Sequence, residues 1–289
     1  MSALNEYLVS FGGNKTPNNG QIIILAGGGG SGKSFVLTKL LDIQGKVIDV
    51  DKIKELLLKL PQDSKLNQKF KQYNGKTLSN VNLRNPNDTS ELHYFADKNK
   101  LYDKTLNNLY NSIKNQGIDK KPNLIFDITL ANLEKFEMIS RFARMCGYPI
   151  ENIHLVWVLT DFKEAVKLNK TRERVVKDEI IYNAHKKVAK NIFYLLDANQ
   201  YTQKFMNGDI FVVFNVPKVD TNYVNSKFGG GYIDKATYIK IKNKGQGIMN
   251  PNKISDNIYH KMNDYVPRNE QRIRTIKLKE SSFKKLFMK

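Results

Sequence analysis

The chain has a single cysteine, Cys146, among 289 residues. An intramolecular disulfide is therefore excluded, and so is a zinc site built on paired thiolates. With Met145 and Gly147 beside it, the thiol reads as packing, and a cytosolic location is expected. No apolar run approaches the roughly 20 residues that cross a bilayer, so no membrane partner is expected. Met1 to Ser10 carry Glu6 and lack a basic stretch followed by an apolar core, so no signal peptide is expected. There is no internal repeat, no heptad pattern and no defensible Ser-His-Asp arrangement. Acidic residues are scarce: 28 Asp and Glu face 47 Lys and Arg, for a net charge of +19. Such an excess favours polyanions, including nucleic acid, nucleotides and acidic surfaces. A solvated lysine-rich surface would give the same count.

What is present has an ordinary apolar fraction and the length for one sizeable α/β domain with an extension, or two small domains. Gln21-Ile-Ile-Ile-Leu-Ala26 is short, apolar and β-branched at its centre, as in a buried parallel strand. A glycine-rich loop follows, then helical spacing from Phe35 to Leu41. Lys46 to Val50 reads as a second strand with Asp51 at its end, and Lys52 to Lys59 as a helix stopping at Pro61. Residues 62–90 are polar and carry no clear period. Residues 91–116 have helical spacing. Asn123–Ile128, Ile153–Leu159 and Asp209–Asn215 read as further strands. Helices are expected over Leu133–Met145, from an Asp161 N-cap to Asn169, and over Asp178–Leu196. Strands alternating with helices imply βαβ units and a parallel sheet, with ligands bound beyond the strands' carboxyl ends.

The texture changes after Val216. Residues 216–289 hold sixteen Lys or Arg against six Asp or Glu. Gly229-Gly230-Gly231 precedes an alternating stretch through Tyr232, Ile233, Tyr238, Ile239 and Ile241, which suggests a ribbon. Residues 268–289 read as a basic helix. The expected division is 1–215 as the main domain and 216–289 as a basic extension. Tyr232 and Tyr238, with lysines between, can stack nucleic-acid bases or simply form a strand face.

Gly27-Gly28-Gly29-Gly30-Ser31-Gly32-Lys33-Ser34 fits G-x-x-x-x-G-K-[ST] between an expected strand and an expected helix. Glycines let backbone amides turn around phosphate oxygens without side-chain clash. Lys33 would reach the β- and γ-phosphates, and Ser34 would hold Mg2+ through its hydroxyl. The expected cofactors are ATP and Mg2+. Asp51 would face the γ-phosphate and take a proton from an attacking hydroxyl, or cap the helix starting at Lys52, or both. Asp49 alternates to the other strand face. Asp127 ends an apolar strand, as a carboxylate organising magnesium does, and the same position can hold an acceptor. Thr129 would bond substrate or cap a turn. Arg172 and Arg174 can close over the phosphates, or form a solvated face with Glu173. His185, beside two lysines, reads as structural or functional.

In order, the glycine-rich loop, Val47-Ile48-Asp49-Val50-Asp51, Leu124-Ile125-Phe126-Asp127-Ile128-Thr129 and the Arg-rich segment ending near His185 resemble zeta-toxin-type P-loop kinases. Ile153-His154-Leu155-Val156-Trp157-Val158-Leu159 and Arg174-Val175-Val176 are similar to zeta-toxin-like kinases of large tailed bacteriophages. In those proteins a Gly-Gly-Tyr segment also follows the kinase core. The resemblance covers most of the chain. It implies a nucleoside-kinase-like fold, ATP on Gly27 to Ser34 and a base at Asp51. It also implies acceptor contacts near Asp127 and Thr129, lid arginines at Arg172 and Arg174, and a sugar hydroxyl of UDP-N-acetylglucosamine as acceptor. Zeta toxins usually have Glu, Gly and Thr where this chain has Asp127, Ile128 and Thr129.

The expected function is ATP-dependent transfer of a phosphoryl group to a small-molecule hydroxyl. Two rivals remain at this level. One is a nucleic-acid kinase or ATPase docking its substrate on the basic extension. The other is a non-catalytic nucleotide-binding phage protein that the extension anchors to virion or host proteins.

Overall fold

A computed structural model describes residues 8–171, 175–225, 231–249 and 256–266. From the first strand onward the chain forms β1 (Ile22–Ala26), α1 (Lys33–Lys39), β2 (Lys46–Asp49) and α2 (Val50–Leu58). A helical insertion follows: α3 (Lys65–Asn74), a 3-10 turn at Leu78–Asn80, α4 (Pro86–Lys98) and α5 (Leu101–Ile113). Then come β3 (Leu124–Ile128), α6 (Leu133–Met145), β4 (Ile153–Leu159), α7 (Phe162–Lys170), α8 (Asp178–Asp197), α9 (Asn199–Phe205) and β5 (Ile210–Phe214). The last described elements are β6 (Asn222–Asn225), β7 (Gly231–Lys235), β8 (Thr237–Lys242) and α10 (Asp256–Tyr265).

The architecture is α/β, with one six-stranded sheet in the order β2-β3-β1-β4-β5-β8. The first five strands are parallel, and β8 runs antiparallel to β5. Every residue of β1, β4 and β5 is buried. That explains why β1 and β5 read as unbroken apolar runs, and β4 as one broken only by the buried His154: both faces are covered. Alternate residues feed two cores. Ile22, Ile24, Phe126, Leu155 and Val212 pack under α5, α6, α8 and α9. Ile23, Leu25, Ile125, Val156 and Phe211 pack with Val36 and Leu40 of α1 and with Val9 and Phe11.

Three features differ from the expected pattern. First, β2 ends at Asp49, and α2 begins at Val50 rather than Lys52. Asp49 is the N-cap, and its Oδ1 accepts from the Asp51 amide at 2.8 Å. Asp51 is therefore a first-turn helical residue rather than the strand end or the cap. Second, the polar segment 62–90 holds α3 and the start of α4, with a small core of its own around Phe70, Leu78, Leu92 and Phe95. Ser64 caps α3 through its side chain, and Gly75 closes it at φ 75°. The single helical stretch expected over 91–116 is broken at Lys100, which takes φ 50°. Third, β8 joins the main sheet, while β6 and β7 pair as a separate ribbon. Tyr232 and Tyr238 thus lie in different sheets. Beyond β8, α10 docks through Met262, with Val266 just past its end, and its Tyr265 hydroxyl donates to the buried Asp220 at 2.7 Å. The basic helix expected over 268–289 lies outside the described residues.

Candidate functional site

The loop from Gly27 to Gly32 joins the carboxyl end of the central strand β1 to the first turn of α1. Gly32 stands at φ 81°, a left-handed conformation that side chains other than glycine's adopt at a cost. Lys33 Nζ folds back over the loop. It donates to the Gly27 carbonyl at 2.9 Å and lies 3.5 Å from Asp127 Oδ1. Ser34, one residue into the helix, is exposed. The Ser31 hydroxyl is buried with no hydrogen-bond partner.

Three acids gather at the carboxyl ends of β2 and β3, and Lys33 meets one of them, Asp127. Asp127 is the fourth residue of β3, and in the parallel register it stands directly opposite Asp49 of β2. Burial pushes the Asp127 carboxyl up, Lys33 pulls it back, and the charges of Asp49 and Asp51 push it up again. The net position is above the ordinary carboxylate range, as expected where like charges share a partly dry site. Asp51 is half-buried and meets Lys54 Nζ at 3.0 Å, a lysine of α2 that is itself buried. His93 of α4 feels the charges of Lys54 of α2, Lys135 of α6 and Asp51. Partial desolvation, then Lys54 and Lys135, lower the His93 ring.

The structure therefore brings Gly27 to Lys33, Asp51 and Asp127 to one place. Thr129 is exposed just past the end of β3. The following Leu130 takes φ 55°, and its carbonyl accepts from Asn191 of α8 at 3.0 Å. Arg172 and Arg174 lie outside the described residues. His185 is on α8, buried, with Nε2 2.9 Å from the Gly29 carbonyl. Burial is the main cause that lowers its ring, with Lys33 adding to the shift.

Sequence reasoning missed three members. Asp49 was placed on the far face because period-two alternation was carried through to Asp51. The chain turns helical at Val50, so that alternation stops. Lys54 gave no signal beyond lying three residues after Asp51. Asn215 carried the same signal as Asp127, a polar residue closing an apolar strand. Its Nδ2 donates to the Ser31 carbonyl at 2.9 Å.

The donor set also suits a hard divalent cation. Asp127, Asp49 and the Ser34 hydroxyl offer oxygen ligands. Among the described residues there is no group of three or more His, Cys, Asp or Glu side chains placed to hold a metal.

No family model matches the chain, and no curated protein does. Similarity is found among solved structures, where 22 chains match. The crystal structure of AvrRxo1-ORF1:-ORF2 with ATP superposes with a TM-score of 0.48 at 11% identity, over 87% of this chain and 65% of that one. The same pair with sulphate ions gives 0.46 at 12%, over 87% and 66%. The PezAT chromosomal toxin-antitoxin system of Streptococcus pneumoniae gives 0.39 at 14%, over 68% of each chain. This chain thus spans about two thirds of the length of each of these. No helix among the described residues is long and apolar enough to cross a membrane.

Proposed function

We propose that the chain is an ATP-dependent phosphotransferase that passes the γ-phosphoryl group to a hydroxyl of a small molecule. The observation that carries this reading is the position of Lys33. Its ammonium joins the glycine-rich loop to the carboxylate of the neighbouring strand. Amides of the loop would hold the phosphate oxygens, and Lys33 would neutralise charge at the β- and γ-phosphates. Ser34 and Asp127 would hold Mg2+, and Asp49, in register with Asp127, would add negative charge beside it. The ion supplies charge neutralisation to the transferring group.

Asp51 stands on the acceptor side. Its carboxylate would orient the attacking hydroxyl and accept its proton, while Lys54 keeps the side chain in place. Lys54 and Lys135 put positive charge near that side. They favour an anionic acceptor, and a sugar nucleotide such as UDP-N-acetylglucosamine has the needed hydroxyl and charge. Arg172 and Arg174 follow α7 in the sequence and would close over the phosphates. The test is incubation with γ-labelled ATP against sugar nucleotides, nucleosides and RNA ends. Label in a small anionic acceptor is the expected result. Label only in inorganic phosphate or RNA ends would overturn the assignment.

A further inference from the structure

Three carbonyls of the glycine-rich loop are each taken by a side-chain donor. Lys33 Nζ takes Gly27, His185 Nε2 takes Gly29, and Asn215 Nδ2 takes Ser31, each at 2.9 Å. The intervening Gly28 carbonyl accepts from the Ser31 amide at 3.2 Å. Two of these donors come from far along the chain, one on α8 and one at the end of β5. Both are buried, His185 at 5% exposure and Asn215 at 4%.

Both are also lodged in spaces that exist because a loop residue is glycine. A Cβ on Gly28 would fall 2.2 Å from the His185 ring, and one on Gly32 would fall 2.1 Å from Asn215 Nδ2. Asn215 is fixed by its own backbone, which donates to Leu159 O at 2.9 Å and accepts from the Thr160 hydroxyl at 2.8 Å. The His185 ring packs edge-on to Phe162. Since Gly29 O only accepts, the hydrogen resides on His185 Nε2.

A trans peptide points its carbonyl and its next amide in opposite directions. Drawing Gly29 O toward α8 turns the Gly30 amide away from it. Drawing Ser31 O toward β5 does the same to the Gly32 amide. We propose that His185 and Asn215 are positioning residues for phosphate binding, which fix the Gly30 and Gly32 amides as anion donors from outside the loop. The inference rests on reading the loop as a triphosphate site. Its alternative is that both side chains only fill space.

Calorimetric titration of the full chain separates the two. The probes are Mg2+ with a non-hydrolysable ATP analogue, ADP and AMP. His185→Phe keeps a ring and removes the donor, His185→Gln keeps an N–H, and Asn215→Ala removes the donor without adding bulk. The two donor deletions should each weaken the triphosphate and diphosphate by about tenfold. AMP affinity should stay near wild type, and His185→Gln should recover most of the loss. Melting without nucleotide reports whether each variant is folded. Folded deletions that bind the triphosphate as the wild type does would overturn the proposal. So would a loss equal for AMP and triphosphate, or a glutamine that restores nothing. If His185→Phe does not fold, Asn215→Ala decides by the same criteria. A wild-type chain that binds none of the three nucleotides would overturn the phosphate site itself, a different failure from this one.

Discussion

At the scale of single residues, Lys33 and Asp49 make separable predictions. Lys33 is the one cation held against both the loop and β3 among the described residues. Lys33→Ala should weaken triphosphate binding by roughly 10- to 100-fold, the worth of one charge-assisted contact, measured by titration at fixed salt. Asp49 has a purely structural duty besides any part in chemistry, because it caps α2. Asp49→Ala should cost about 1 kcal/mol in denaturant melts, a typical price for a lost N-cap. An unchanged midpoint would remove that capping role. The lysine and Asp127 were legible in the sequence because a spaced motif and an apolar strand announce them. Asp49 was not, because its side depends on where the strand stops. That stop is set by a two-residue shift in a helix start, below what alternation resolves.

At the scale of elements, the parallel strands were legible for a physical reason. Burial on both faces leaves β1 and β5 with no polar position, and β4 with only His154, to blur the pattern. The insertion between β2 and β3 was opaque for the opposite reason. Its helices cover a small core, so each shows few apolar residues among many lysines and asparagines. That core gives a test. Phe70 is fully buried and packs edge-on to Phe95 at 5.0 Å. Phe70→Ala should cost about 3–5 kcal/mol of local stability. Hydrogen exchange should then lose protection in α3 and α4 while amides of β1 and β4 keep theirs. Equal loss in both regions would show that the insertion is not a separate cooperative unit. The charge of the tail beyond Val216 sets it apart in the sequence as an extension. Yet β8 supplies the sixth strand, and Lys242 within it is buried, with Nζ donating to Asn207 Oδ1 at 2.9 Å and to Gly208 O at 3.1 Å. Composition does not reveal that a lysine's ammonium will be met by neutral oxygens inside a sheet.

At the scale of the whole molecule, two buried histidines set its response to acid. Burial lowers both His154 and His185 below the ordinary value of 6.5. The unfolded chain therefore binds protons more readily at these rings than the fold does. Stability should be intact above pH 6.5 and fall as the pH descends from there toward the depressed values. Asp209 extends the loss to lower pH. Burial alone would raise it, but contact with His154 and the amides of Gly12 and Lys244 hold it below the usual carboxylate range. Denaturant midpoints between pH 8 and pH 5 should decline on the acid side, and a flat profile would contradict the neutral burial of both rings.

In the proposed reaction a triphosphate is held by the glycine-rich loop, and Asp51 acts on an acceptor at its terminal unit. It is tested most directly by measuring γ-phosphoryl transfer and ATP affinity together in the wild type and Asp51→Ala. The account predicts that transfer is lost while ATP affinity stays within about twofold, since the carboxylate serves the acceptor and not the nucleotide. Transfer that survives Asp51→Ala, or affinity that collapses with it, would contradict the account.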